Sequence, residues 1–252
     1  MARAASRIVI VTGAESGIGA ACAQVFAAAG DRVAVFYHND AGDTSARIAA
    51  SGGTALDVRC AVDDPASVDA AFTAVEDAFG PATVLVNSAG INMSGQAVRD
   101  MPVTNWMRLI ATDLTGAFLV SRRFLKGCPG PGAVVHISSI HAEAVRAGGA
   151  DYCAAKGGLD NLVRTLAVEE ARRAIRVNAV APGMILTPMN GRALDDAEYR
   201  AGLERNIPLG RAGTAEEVAG LVLWLVSEAA AYVTGATFTI DGGLSLLQGL
   251  GA

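Results

Sequence analysis

Arg7-Ile8-Val9-Ile10-Val11-Thr12-Gly13-Ala14-Glu15-Ser16-Gly17-Ile18-Gly19 is the stretch whose reading decides the fold. Residues 7–12 are a β-branched run that ends in glycine, the pattern of a short buried strand. Three glycines follow, and residues 20–29 are helix-like up to Gly30. Strand, glycine turn and helix together aim backbone N–H groups and a helix N-terminus at a pyrophosphate. The spacing is Gly-x-x-x-Gly-Ile-Gly rather than the GxGxxG of other dinucleotide sites. A phosphate-binding turn is therefore expected at Gly13, Glu15, Ser16, Gly17, Ile18 and Gly19.

The alternation continues outward from this unit. Strands are expected at Arg32–Tyr37, 54–58, 83–86, 133–138, 175–180 and 236–240. Helices are expected at 41–51, Pro65–Phe79, 103–126, 151–171 and 215–226, with an irregular stretch from 184 to Gly213. Pro65 suits a first helical turn, where its missing N–H costs nothing. The fold class that follows is α/β: a doubly wound, Rossmann-type parallel sheet of about seven strands with helices on both faces. No repeat, charge block or linker divides the 252 residues, so one dinucleotide-binding and catalytic domain is expected.

In such a sheet, ligands bind beyond the carboxyl ends of the strands, where the winding reverses. Those ends carry the glycine turn, Tyr37-His38-Asn39, Asn87-Ser88-Ala89-Gly90, Ser138-Ser139 and Pro182-Gly183. Tyr152 and Lys156 lie four apart on the helix after the fifth strand, hence on one face. Tyrosine ionises near pH ~10, and an ammonium held within a few ångströms favours the phenolate. Ser139, Tyr152 and Lys156 can therefore meet over a bound dinucleotide as a proton-transfer centre.

Composition narrows the alternatives. The chain is 52% hydrophobic and 18% charged, with formal charge −5, which argues against nucleic acid or an anionic membrane as partner. No apolar run approaches the ~20 residues of a membrane span. The start, Met1 to Arg7, leads into only a short apolar run, too short for a secretory core. Cys22, Cys60, Cys128 and Cys153 lack CxxC spacing, so reduced thiols, no metal and a cytoplasmic location are expected.

Taken together, the glycine turn, Asn87-Ser88-Ala89-Gly90, Ser138-Ser139, Tyr152-x-x-x-Lys156, Arg176-Val177-Asn178, Pro182-Gly183-x-x-x-Thr187 and Tyr232-Val233-Thr234-Gly235 resemble the short-chain dehydrogenase/reductase family. The resemblance runs from Arg7 to Gly243. It implies an NAD(P)(H)-dependent oxidoreductase that interconverts a secondary alcohol and a ketone, with Tyr152 as general acid/base. Ser139 would hold the substrate oxygen and Lys156 would bond the nicotinamide ribose. Asn87, Ala89, Gly90, Pro182, Gly183, Ile185 and Thr187 would line the cofactor. The family's usual homotetramer is implied as well, and the long helices 103–126 and 151–171 are apolar around much of their circumference, as such an assembly requires.

Three positions depart from the family pattern. Asp113 stands where the family has a catalytic asparagine; it is expected to sit in the same bend and to change the rate only modestly, the alternative being that its carboxylate pairs with Lys156 and weakens the lysine's effect on Tyr152. Ala61 replaces an aspartate that contacts adenine, and Ser88 replaces an asparagine. At the cofactor-selecting position the chain has Tyr37 followed by His38, so Ser16 and His38 favour NADP(H), while Asp40 favours NAD(H), which is also expected to serve. On the substrate side His141, Asn92, Leu186 and Met189 are candidates. Their setting resembles bacterial glucose 1-dehydrogenases, but Leu186 and Asn92 replace polar or charged partners of a sugar. A sugar or polyol, a small ketone or a 3-oxoacyl thioester are all compatible. Glu143 and Arg146 read as solvated loop charges, and 184–213 as a lid over the substrate. The reading from another class is a nucleotide-binding sensor or scaffold with little turnover.

Overall fold

The structure, a computed structural model, describes residues 6–93 and 95–247; the reading of the first five residues as no secretory leader lies outside them. Seven strands are present: β1 Ile8–Thr12, β2 Arg32–Tyr37, β3 Thr54–Arg59, β4 Val84–Asn87, β5 Gly132–Ile137, β6 Ile175–Pro182 and β7 Thr237–Ile240. All neighbours are parallel, in the order β3-β2-β1-β4-β5-β6-β7. The winding reverses between β1 and β4, which opens a crevice above those two strands.

The helices are α1 Gly17–Ala28, α2 Thr44–Ala50, α3 Pro65–Phe79, α4 Val103–Ile110, α5 Gly116–Gly127, α6 Ala150–Glu170, α7 Gly191–Asp195, α8 Ala197–Glu204 and α9 Ala215–Leu225. Both faces of the sheet are covered, so the central strands β1, β2 and β4 read as nearly continuous apolar runs rather than alternating ones. Within a run the side chains still alternate between layers. Ile8, Ile10, Ala34 and Phe36 pack with Phe72 and Phe124 of α3 and α5. Val9, Val11, Val33 and Val35 pack with Phe26 and Val222 of α1 and α9. Burying both sets at ~25 cal/mol per Å² of apolar area is the main force that holds the sheet between its helices.

Two expectations need correction. The long helix 103–126 is not uniform: residues Ala111–Thr115 form a π-helical turn between α4 and α5. The extra residue in that turn rotates the helix locally and directs Asp113 inward, where its side chain is fully buried. The stretch 184–213 is not irregular either, because α7 and α8 lie within it. Asp196 caps α8 by accepting from the Tyr199 N–H at 2.8 Å, a signal that a serine/threonine/aspartate/asparagine search of that stretch would have found.

A chain of buried hydrogen bonds crosses the centre of the sheet. The Ser88 and Ala89 N–H groups donate to Thr12 Oγ1, and Thr12 donates to Asn87 Oδ1 at 2.8 Å. Asn87 Nδ2 lies 3.2 Å from His136 Nδ1, and His136 Nε2 lies 3.3 Å from Ser121 Oγ, which donates to the Ala117 carbonyl. These roles are consistent only with a neutral His136 protonated on Nε2. Burial first, and Lys156 second, push His136 down to about 3. The unfolded chain therefore binds a proton between about pH 6.5 and 3 that the folded one refuses, and stability falls as pH drops through that window. From this one group the slope reaches about 1.4 kcal/mol per pH unit. Denaturant unfolding at pH 7 and pH 5 should show a shallower pH dependence for His136→Gln than for the wild type; equal slopes would remove His136 from this account.

Candidate active site

The crevice above β1 and β4 is one continuous cavity of about 710 Å³. The end expected to take a nucleotide is built on the glycine turn. Gly13 has φ +62°, and a Cβ there would lie 2.9 Å from Ala89 Cα, so the turn closes directly onto the chain beyond β4. A Cβ on Gly19 would collide with the Gly13 carbonyl and Ala14, which fixes the close approach of α1 to β1. Ser16 precedes α1 without a side-chain cap, and no acidic residue occupies the first turn. The first N–H groups of a twelve-residue helix are thus left to an anion, as a pyrophosphate requires. These features fit a dinucleotide.

Tyr37, His38, Asn39 and Asp40 line the same end. Asp40 Oδ1 accepts from the Gly42 N–H at 3.0 Å. Arg59 Nε donates to the His38 carbonyl at 3.2 Å, bringing a guanidinium beside the second strand's end from the neighbouring strand. Sequence reading missed Arg59, because only the β2–β3 register, Tyr37 opposite Arg59, makes them neighbours. Ala61 donates to Ser67 Oγ and does not reach the cavity, whereas Asp63 does.

At the other end Ser139, Tyr152 and Lys156 share the wall. Ser139 follows β5, and its Oγ accepts from the His141 N–H at 3.2 Å. Tyr152 sits in the first turn of α6; Asp151, fully buried beside it, accepts from its N–H at 2.8 Å. Lys156, one turn further, reaches back so that Nζ lies 5.4 Å from the Tyr152 ring centroid and donates to the Ile137 carbonyl at 3.2 Å. Nζ is also 3.2 Å from Asp113 Oδ2, with both side chains out of water. Asp113 Oδ1 accepts from the Ile91 N–H at 2.8 Å, and Oδ2 has no other partner.

Burial alone would lower Lys156, but the Asp113 carboxylate, with Tyr152 and Asp160 behind it, outweighs burial and raises it. Burial pushes Asp113 up, while the Lys156 ammonium and the Ile91 N–H pull it back towards ionisation. An ion pair hydrogen-bonded on both sides is the arrangement that tolerates such a site. Ser138 donates to Asp160 Oδ1 at 2.6 Å beneath this floor and holds β5 against α6.

Most of the expected site residues meet here. His141 lines the cavity, its ring 6.3 Å from Tyr152 edge-to-face and its Nδ1 2.8 Å from the Ala144 carbonyl; Asn92 and Met189 also line it. Gly19, Asn87, Asp113 and Leu186 stand behind the wall rather than on it. Asn87 is occupied in the buried chain, and Leu186 is turned away while its backbone pairs with Gly213 at 3.0 Å. Arg146 is the exposed loop charge expected, and it also lines the cavity; so do Arg108, Thr112, Leu203 and Asn206, which the sequence did not single out. Arg108 and Thr112 are four apart, Arg108 at the end of α4 and Thr112 within the π-helical turn, a spacing that was available to find them. Among the described residues no cluster of three metal-ligating side chains stands together.

A family model described as enoyl-(acyl carrier protein) reductase matches residues 13–245. The chain belongs to the short-chain dehydrogenase/reductase family. It is an oxidoreductase of the kind that uses NAD(P)(H) and acts on CH–OH groups of small molecules. It is 41% identical over 249 residues to 3beta-hydroxysteroid dehydrogenase 1 of Eggerthella lenta, covering 96% of this chain and 95% of that protein. It is 40% identical to cis-4-hydroxycyclohexanecarboxylate dehydrogenase of Sinomonas cyclohexanicum, covering 95% and 96%. Among solved structures, an actinorhodin polyketide ketoreductase variant with NADPH superposes with a TM-score of 0.91 at 32% identity, covering 95% and 97%.

Proposed function

We propose that this protein interconverts a secondary alcohol and a ketone with NADP(H) in preference to NAD(H). The observation that carries the reading is that Ser139, Tyr152 and Lys156 face the same cavity as the uncapped N-terminus of α1. A bound nicotinamide supplies the hydride in reduction and accepts it in oxidation. In reduction, Ser139 Oγ and the Tyr152 hydroxyl donate to the substrate carbonyl oxygen, and Tyr152 passes its proton to that oxygen as the alcohol forms. The Lys156 ammonium compensates the phenolate left behind, and Asp113 holds that ammonium in place. Tyr152 then regains a proton from solvent, and oxidation runs the same steps in reverse.

His38, Ser16 and the nearby Arg59 support the NADP(H) preference, because a 2′-phosphate gains from donors and cations there, against the opposing charge of Asp40 on the same lining. Residues 184–213 form the lid in this reading. Their base is clamped where Ile185 pairs with Gly213, and α8 with Asn206 reaches over the cavity. A homotetramer is in accord with Trp106, Met107, Phe118 and Val168, which leave α4 to α6 apolar on the outside. Four free cysteines favour a reducing compartment, the cytoplasm. No helix among the described residues is long and apolar enough to cross a membrane.

Absorbance of reduced nicotinamide, followed with NADPH and NADH separately against ketones, diketones, sugars and acyl thioesters, tests the reading. Turnover with a larger kcat/KM for NADPH is expected. Tight nucleotide binding without turnover of any substrate would favour a sensor instead. The likeness to a polyketide ketoreductase makes a 3-oxoacyl thioester the second substrate class to assay.

A further inference from the structure

Charge is divided unevenly along the cavity. Its acidic lining residues, Glu15, Asp40 and Asp63, all belong to the nucleotide end. Lys156 is neutralised by Asp113. The other charged side chains on the lining are Arg108 and Arg146, both exposed, in a chain whose formal charge is −5. Neither has a carboxylate partner among the described residues, whereas Arg7, Arg123 and Arg211 are paired with Asp31, Glu76 and Glu217.

Both arginines are placed by the fold. Leu109, fully buried against the Tyr152 cluster, fixes the rotation of α4, so Arg108 and Thr112 one turn later present to the cavity together. Arg146 comes from the loop after β5, where Nη2 donates to Asn92 Oδ1 at 3.4 Å. That loop is tied to the one after β4 by the Gly95 N–H donating to the Gly148 carbonyl at 2.7 Å. A Cβ on Gly149 would lie 2.9 Å from Arg146 Cγ, so the arginine stem lies against the chain at the start of α6.

We infer that the substrate carries a carboxylate, which Arg108 and Arg146 bind at the mouth while Tyr152 and Ser139 hold the reacting oxygen. The inference rests on the alcohol/ketone reading and names its substrate class: hydroxy and oxo acids whose carboxylate is separated from the reacting carbon. Guanidinium forks match carboxylates in pairs of hydrogen bonds and lose little entropy in doing so.

The test compares 4-oxopentanoate with its methyl ester in steady-state reduction by the intact enzyme. The acid should be favoured in kcat/KM by at least about tenfold, the ratio expected for a charge-assisted hydrogen bond. Arg108→Gln with Arg146→Gln should remove most of that ratio, through KM for the acid, and high salt should erode it. Calorimetric titration of 4-oxopentanoate into the enzyme–NADP+ complex reads binding even where turnover is slow, and the double variant should weaken it to the same extent. Equal use of acid and ester, or a ratio untouched by the double variant, overturns the carboxylate and leaves the alcohol/ketone reading intact. Acetoacetyl-CoA against acetoacetyl-N-acetylcysteamine reads the other anion of this chemistry. If the double variant lowers only the CoA preference, the arginines serve a carrier phosphate and the proposal falls. Failure of every carbonyl substrate alongside carboxylate binding that depends on the arginines would instead overturn the reaction class.

Discussion

Tyr152→Phe will lower kcat by about 1,000-fold, within the 10²–10⁴ range that positioned proton transfer supplies, while changing NADPH affinity little. The ring stays where it packs on Leu109 and Ala155, because only one oxygen is lost. Lys156 also stays, held by Asp113 and the Ile137 carbonyl rather than by the phenol. The nucleotide end is built from other elements and is untouched. A variant that folds, binds NADPH and turns over at near wild-type rate would show that another group donates the proton. Single-turnover measurement with bound NADPH separates that outcome from slow product release.

The second large effect is expected at Asp113. Asp113→Ala leaves a buried ammonium unpaired and the Ile91 N–H without its acceptor, at a cost of about 3–5 kcal/mol. The sign of its pH dependence distinguishes this from simple loss of packing. In the wild type Asp113 helps raise Lys156, so the contribution of Lys156 to stability persists through neutral pH and is lost only at alkaline pH. Without the carboxylate, burial lowers Lys156, the unfolded chain binds the extra proton, and stability should rise as pH increases from 7 towards 10. Asp113→Asn keeps an acceptor for the Ile91 N–H and should recover part of the stability at pH 7. Thermal unfolding of the three proteins from pH 7 to 10 decides it. Parallel curves would mean that the ion pair contributes nothing beyond shape.

The two predictions differ in how far the sequence alone led to them. Tyr152 and Lys156 are four apart on a helix whose apolar spacing is plain, so their shared face follows from helical geometry. Asp113 could be placed in the same bend only by resemblance. Its contact with Lys156 depends on the π-helical turn at Ala111–Thr115, and no local pattern in 103–126 marks where an otherwise apolar helix takes in an extra residue. Arg59 and Arg146 were illegible for a related reason. Each earns its place from a neighbour distant in sequence, Arg59 across the β2–β3 register and Arg146 through the loop joined to Gly95.

What the sequence determined by itself is the parallel α/β fold, the glycine turn at Gly13 to Gly19 and the meeting of Ser139, Tyr152 and Lys156 at one cavity. These follow from short-range rules: alternating buried strands and helices, glycine where the backbone must close, and residues one helical turn apart. What only the tertiary structure decided is which charges face the cavity, which are already paired and which stand behind its wall. Those outcomes turn on side chains brought together across 20 to more than 200 positions of chain, as Arg7 and the Val226 carbonyl are at 3.3 Å. Pairing at that range is set by packing of the whole sheet between its helices, and no local stretch of sequence contains it.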